Sequence, residues 1–219
     1  MKAKRQKKIR QTFETYVKHF NFEKPYKLLV DGNFIKTCLD LNYDYQQKLQ
    51  SLFGKRAEFV TTKCVVNELK TLGPMLANTL LSAQKLKQVN CTHVEEYLPA
   101  NFCLKAFVGY KNPHKVVLAT QDDILHEFYD KTKALPLIHF FRGNILRIRD
   151  FTAITKDILE RMNRKSSQIR TTELGNIKEE RRKLREEEYA KKKQKIKKLK
   201  NNLCIVTKKE AKKKRKSHH

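Results

Sequence analysis

What this chain lacks narrows its chemistry before any motif is considered. No uncharged run in its 219 residues approaches 18, so no segment is expected to cross a membrane. The basic opening MKAKRQKKIR leads into no apolar stretch, and a secretory leader is not expected either. Glycine occurs only six times, with no Gly-rich loop to cradle a phosphate. Ser166-Ser167 has no His and Asp nearby in sequence, so a hydrolase triad is not expected, and no internal repeat is visible. Acids are scarce beside bases, with 23 Asp+Glu against 49 Lys+Arg and a formal net charge of +26. Such an excess speaks of partners rather than fold, and nucleic acid is the commonest partner.

The excess is unevenly placed. Residues 1–10 carry six basic side chains (Lys2, Lys4, Arg5, Lys7, Lys8, Arg10) and no acid, while residues 191–219 carry fourteen against one. Residues 20–150 are only +5, so 19 of the 26 charges sit at the two ends. The ends read as RNA-contacting segments, with Lys212, Lys213, Lys214 and Arg215 the densest cluster, or as solvated tails that double as a nuclear address. The map that follows is a basic N-terminal arm (1–24), a globular domain (25–150), a charged helical extension (151–200) and a basic tail (201–219). Tyr16, Phe20, Phe22 and Tyr26 are spaced so that they could stack on bases, although core packing accounts for Phe20 and Tyr26 at least as well and is the favoured reading.

Within 25–150, continuous apolar runs alternate with helical patterns. Strands are expected at Tyr26–Val30, Phe59–Thr61, Val116–Thr120 and Leu137–Phe141, with a short fifth at Ile145–Ile148. Helices are expected from Phe34 to about Leu41, after an N-capping Thr62, from Pro74 to about Lys87, and from Asp123 to Tyr129. Strands apolar on both faces, separated by helices, indicate an α/β fold with a parallel sheet covered on both sides. After residue 150 the Glu–Lys/Arg pairing, as in Glu179–Lys183, predicts exposed helix that is polar nearly all round. The island Leu203–Val206 inside the basic tail is either accidental or a short anchor for a partner.

Ligands of open α/β sheets gather at the carboxyl ends of the strands. Asp31 directly follows the first strand, Glu68 lies on the helix after the second, and Asp122 directly follows the third. Converging acids repel one another unless a cation intervenes, and Mg²⁺ or Mn²⁺ held there would polarise a phosphodiester and activate water. Strand-terminal Asp residues also simply cap the next helix. The five cysteines form an odd set in a leaderless basic chain, which argues for a reducing compartment and against disulfides. Cys91, His93 and Cys103 supply three donors suited to tetrahedral Zn²⁺, with Cys64, His114 or His126 as the fourth. The 88–105 segment carries few apolar residues and is expected to need such a clip for order. His139 reads as a strand residue rather than a catalyst.

Taken in order, the strings PYKLLVDGNF, FVTTKCVVNELKTLG, NPHKVVLATQDDIL and LPLIHFFRGNIL resemble the PIN domain over about residues 1–150. More narrowly they resemble a subgroup of PIN-domain factors of the small-subunit processome. The resemblance implies a three-layer α/β/α nuclease-type sandwich and a role in early 18S rRNA maturation in the nucleolus. Pre-rRNA, small nucleolar RNA and other processome proteins would be the partners, with neither a membrane nor a homo-oligomer. It places Asp31, Glu68 and Asp122 at three active-site acid positions, while Ile124 stands where active PIN nucleases carry a fourth acid. It also implies a structural zinc set of Cys64, Cys91, His93 and Cys103. The expectation is an RNA-binding assembly factor with a degenerate nuclease site. The alternatives are an active Mg²⁺- or Mn²⁺-dependent endoribonuclease, and a nucleic-acid chaperone acting through its tails alone.

Overall fold

The computed structural model describes residues 3–54, 57–93 and 96–216, with side chains described as far as Lys193 except at Thr171 and Ala190. Two compact units divide between Met162 and Asn163. Six strands, β1 (Tyr26–Val30), β2 (Ala57–Thr62), β3 (Lys87–Val89), β4 (Val117–Ala119), β5 (Leu137–Phe141) and β6 (Ile145–Ile148), form one sheet in the order β3-β2-β1-β4-β5-β6. All pairings are parallel except that of β5 with β6. Leu28, Leu29, Val30 and residues 116–119 are fully buried, as strands covered on both faces require. The final hairpin turns at Arg142 and Gly143, with φ of 50° and 78°, a left-handed pair that glycine relieves at one of its two positions.

The helices are α1 (Ala3–Phe20), α2 (Gly32–Asp40), α3 (Tyr45–Phe53), α4 (Lys63–Thr71), α5 (Ala77–Gln84), α6 (Ala100–Val108), α7 (Asp123–Lys131) and α8 (Ala153–Lys216). Thr62 caps α4 as expected, accepting from the Val65 N–H at 3.4 Å. At Gly32 the two helices α2 and α4 meet closely, since a Cβ there would lie 3.2 Å from Leu69 Cδ2. Three elements within residues 25–150 go unannounced by periodicity. Two are the helices α3, capped by Asp44, and α6. The third is the three-residue edge strand β3, where a helix was expected to run on to about Lys87.

From Ala3 to residue 24 the chain is not a free arm. Ile9, Phe13, Tyr16 and Phe20 recur at helical spacing along α1 and are buried in the same core as the sheet. Phe13 meets Tyr26 and Phe53 edge-on at 4.8 and 4.5 Å, and the Tyr16 hydroxyl donates to the Leu135 carbonyl at 3.2 Å. Large apolar side chains buried this way each contribute about 1.5–3 kcal/mol, and rings enclosed in the core have no face open to a base. Phe22 and Tyr26 are buried with them. At the other end of this unit, the first turns of α8 pack inward through Thr155 and Leu159.

The second unit is helical, and its apolar residues Ile169, Leu174, Ile177 and Leu184 are exposed. Glu179 pairs with Lys183 at 3.6 Å and approaches Arg182 at 4.0 Å, each worth a few tenths of a kcal/mol. Helical backbone continues through residue 201 to Lys216 rather than giving way to a separate tail. Lys2 lies outside the described residues, as do the side chains of Leu203–Val206, Lys212, Lys213, Lys214 and Arg215.

Candidate functional site

The chain leaves β1 for β2 and β3 on one side, then returns to β4 on the other. The crevice at the carboxyl ends of β1 and β4 is therefore the switch point at which such sheets bind ligands. Asp31 sits there, 4% exposed, at the N-terminal boundary of α2 without a side-chain cap bond to it, and its backbone N–H is bonded to the Ala119 carbonyl at 3.0 Å. Its carboxylate accepts the Thr120 hydroxyl at 2.7 Å, and the Thr120 oxygen accepts the Asp122 N–H at 3.0 Å. Asp122 caps α7 through the Ile124 N–H at 2.8 Å. Glu68, in the second turn of α4, accepts the Ala100 N–H at 2.6 Å. Burial pushes the Asp31 carboxyl up to about 6, opposed by the Thr120 and Gly32 hydrogen bonds and reinforced by the charges of Asp122 and Glu68.

The three acids thus share one neighbourhood, but each already accepts a hydrogen bond from the protein. Among the described residues they do not draw together as closely as the four donors discussed below. Ile124, the position two residues past Asp122, is 46% exposed, and Asp123 begins α7 exposed to solvent. No further carboxylate completes the set from that segment.

A second cluster lies one helical turn away along α4. Cys64, in the first turn of α4, stands 3.8 Å from Cys91 Sγ and 3.2 Å from His93 Nε2, and Cys103 stands 3.5 Å from Cys91. All four ligand atoms fall within 4.8 Å of one another. A tetrahedron built on Zn–S and Zn–N bonds of about 2.3 and 2.0 Å has edges of roughly 3.5–3.8 Å, so these donors can hold a metal ion. Burial raises the Cys64 and Cys103 thiols, a cost that a bound cation would remove by stabilising the thiolates. The alternative fourth donors are elsewhere: His114 stacks on Phe107 at 4.7 Å and His126 meets His139 at 5.2 Å. Cys64 and Glu68 lie in successive turns of α4, so the metal cluster and the acidic crevice are neighbours. The 88–105 segment does not lack a core, because Ala100, Cys103 and Leu104 of α6 are buried.

Sequence reading missed Thr120 and Gln121. Thr120 joins two acids by one hydroxyl, and Gln121 bonds Phe140 on both its N–H and carbonyl at 2.7 and 3.2 Å, pinning the β4–α7 loop to β5. The string Ala-Thr-Gln-Asp contains both, but their partners lie on other strands. The N-terminal cations separate: Lys7 is exposed, Arg10 bonds the Ser51 carbonyl at 2.9 Å, and Lys4, Arg5 and Lys8 line a cleft against β6.

Comparison with known proteins places this geometry. The Fcf1 family signature matches residues 51–146. The chain is 28% identical over 183 residues to the rRNA-processing protein utp23 of Schizosaccharomyces pombe, covering 83% of this chain and 67% of that one. It is 30% identical over 117 residues to the rRNA-processing protein FCF1 of Saccharomyces cerevisiae, covering 52% of this chain and 59% of that relative. The solved structure of the PIN domain endonuclease Utp24 matches with a TM-score of 0.52 at 24% identity, over 60% of this chain and 96% of that one. The fold is that of a PIN domain.

Proposed function

We infer that this PIN-fold chain, similar to rRNA-processing factors, is an RNA-binding assembly factor of the small-subunit processome. It acts in early 18S rRNA maturation in the nucleolus without productive cleavage. Its partners are pre-rRNA, small nucleolar RNA and other processome proteins, and it works as a single copy. One observation carries this reading: Asp31, Glu68 and Asp122 are each committed to a hydrogen bond that holds the fold, and Ile124 supplies no fourth carboxylate. The crevice is then a shaped platform rather than a reaction centre. Cys64, Cys91, His93 and Cys103 hold zinc, which supplies a rigid cross-link and no chemistry to a substrate. The basic residues at both ends, including Lys212, Lys213, Lys214 and Arg215, add phosphate contacts.

A second reading has one observation in its favour. Asp122 and Glu68 both raise the Asp31 carboxyl, as carboxylates that share a Mg²⁺ or Mn²⁺ would do in its absence. The chain would then be a divalent-metal-dependent endoribonuclease. Incubating the protein with pre-rRNA fragments and Mn²⁺ separates the two. The assembly reading expects binding without cleavage, and binding undiminished in Asp31→Asn. Cleavage by the wild type that disappears in Asp31→Asn overturns it.

A further inference from the structure

A group of cationic side chains in the first unit lies at the β6 edge of its sheet, two strands beyond β4. The two-residue period places His139 and Phe141 of β5 and Arg147 of β6 on one face, with His139 and Arg147 directly paired across the strands. α1 roofs that face. Its Lys4 and Lys8 stand one turn apart, with Arg5 beside them and Ile9 anchoring the helix below. Together with Arg149 they line an open cleft of about 470 Å³ whose lining includes one acid, Asp150. That acid pairs with Lys8 at 2.9 Å, and Arg149 pairs with Asp130 at 3.2 Å. Two of the five cations are therefore held as framework, leaving Lys4, Arg5 and Arg147 to set the charge of the cleft.

The cleft has a planar surface as well as a charge. The Arg147 guanidinium lies 4.2 Å from the Phe141 ring centroid, and Arg142 approaches the same ring at 5.3 Å. A guanidinium backed by an aromatic ring is a rigid platform on which an unstacked base can lie, while flanking ammonium groups take the phosphates. An acidic peptide would use the cations but has no use for the platform.

We propose that the cleft between α1 and β6 binds single-stranded RNA, with Lys4, Arg5 and Arg147 on the phosphates and the Arg147–Phe141 stack beneath a base. This rests on the RNA-binding function inferred above and adds a site within the folded domain, independent of the acidic crevice and of the C-terminal lysines. The full chain would be titrated with labelled oligouridine across a salt series, comparing a Lys4→Gln/Arg5→Gln/Arg147→Gln variant with a control of equal charge loss, Lys63→Gln/Lys85→Gln/Lys111→Gln. The cleft variant is expected to bind about tenfold more weakly, with a log–log salt slope shallower by about 2, as loss of three single-strand phosphate contacts requires. The control should fall much less. Arg147→Lys, which keeps the charge, should preserve the slope but lose ultraviolet cross-linking of uridine to the peptide carrying Phe141. Equal behaviour of the cleft and control variants overturns the cleft while leaving RNA binding by the chain intact. Failure of the wild type to bind RNA at all overturns the functional reading too. Displacement of oligouridine by polyglutamate of equal charge and concentration would make the cleft a site for acidic protein and overturn the proposal.

Discussion

The Glu68 carboxylate receives the backbone N–H of Ala100 at 2.6 Å, three residues ahead of Cys103. Because Leu98 N–H reaches Cys64 Sγ at 3.4 Å in the same segment, one acid of the crevice helps fix the backbone that completes the cysteine cluster. Glu68→Ala is therefore expected to cost about 1.5–3 kcal/mol, as loss of a charged acceptor does, and to speed zinc release to a chelator. Glu68→Gln retains an acceptor and should do neither strongly. Thermal melts and chelator kinetics on the pair distinguish a framework role from a purely electrostatic one.

The cysteine cluster predicts one zinc per chain. Cys91→Ser should lose it by elemental analysis, and unchanged stoichiometry would remove Cys91 from the ligand set. Removing the metal should expose the amides around 91–99 to hydrogen exchange. The sheet, whose core does not pass through the cluster, should keep its protection.

Asp31 makes stability depend on pH in a definite direction. Its folded-state value of about 6 lies above the ordinary 3.8, so the folded protein binds the proton more tightly and ionisation disfavours folding as pH rises from about 4 to 6. Asp31→Asn should then stabilise the protein at neutral pH by on the order of 3 kcal/mol, an advantage that shrinks as pH falls through that window. Denaturant titrations at several pH values measure it. A destabilised Asn variant at neutral pH would show that the fold needs the charged carboxylate there and not merely an acceptor oxygen for Thr120.

Thr120→Val keeps the shape of the side chain but removes the oxygen that serves both Asp31 and the Asp122 N–H. Leaving these buried partners unpaired should cost about 1–3 kcal/mol each at most, and the Asp31 value should rise further. Thr120→Ser should restore both by the same pH titration.

His139 acts in the opposite sense to Asp31. Burial, together with His126, Arg149 and Arg147, lowers its value to about 4 from 6.5. The unfolded chain therefore gains the proton first, and stability is lost as pH falls from about 6.5 to 4. His139→Asn should flatten that decline relative to wild type.

Much of this protein was legible before folding. Tyr26–Val30 and Leu137–Phe141 matched their strands because a strand covered on both faces is mostly apolar, leaving runs broken only by Lys27 and His139. Asp31, Glu68 and Asp122 could be singled out by position alone, since strand ends are where such sheets present side chains. The short edge strand β3 could not, because Lys87-Gln88-Val89 is three residues long with a single apolar side chain, too little for a strand period to show. Nor could α1 be told from a solvated arm: its lysines and its apolar stripe share one segment, and only a partner surface decides between them.

By itself the sequence determined the class of fold, the sign of the charge and the kinds of donors available, because these follow from residue type and period. Tertiary structure decided which donors meet. It gathered Cys64, Cys91, His93 and Cys103 from three separate segments and gave Thr120 its two acidic neighbours. It also turned a run of N-terminal lysines into one wall of a cleft facing Arg147. Distances between side chains remote in sequence are set by strand order and helix packing, and no local pattern encodes them.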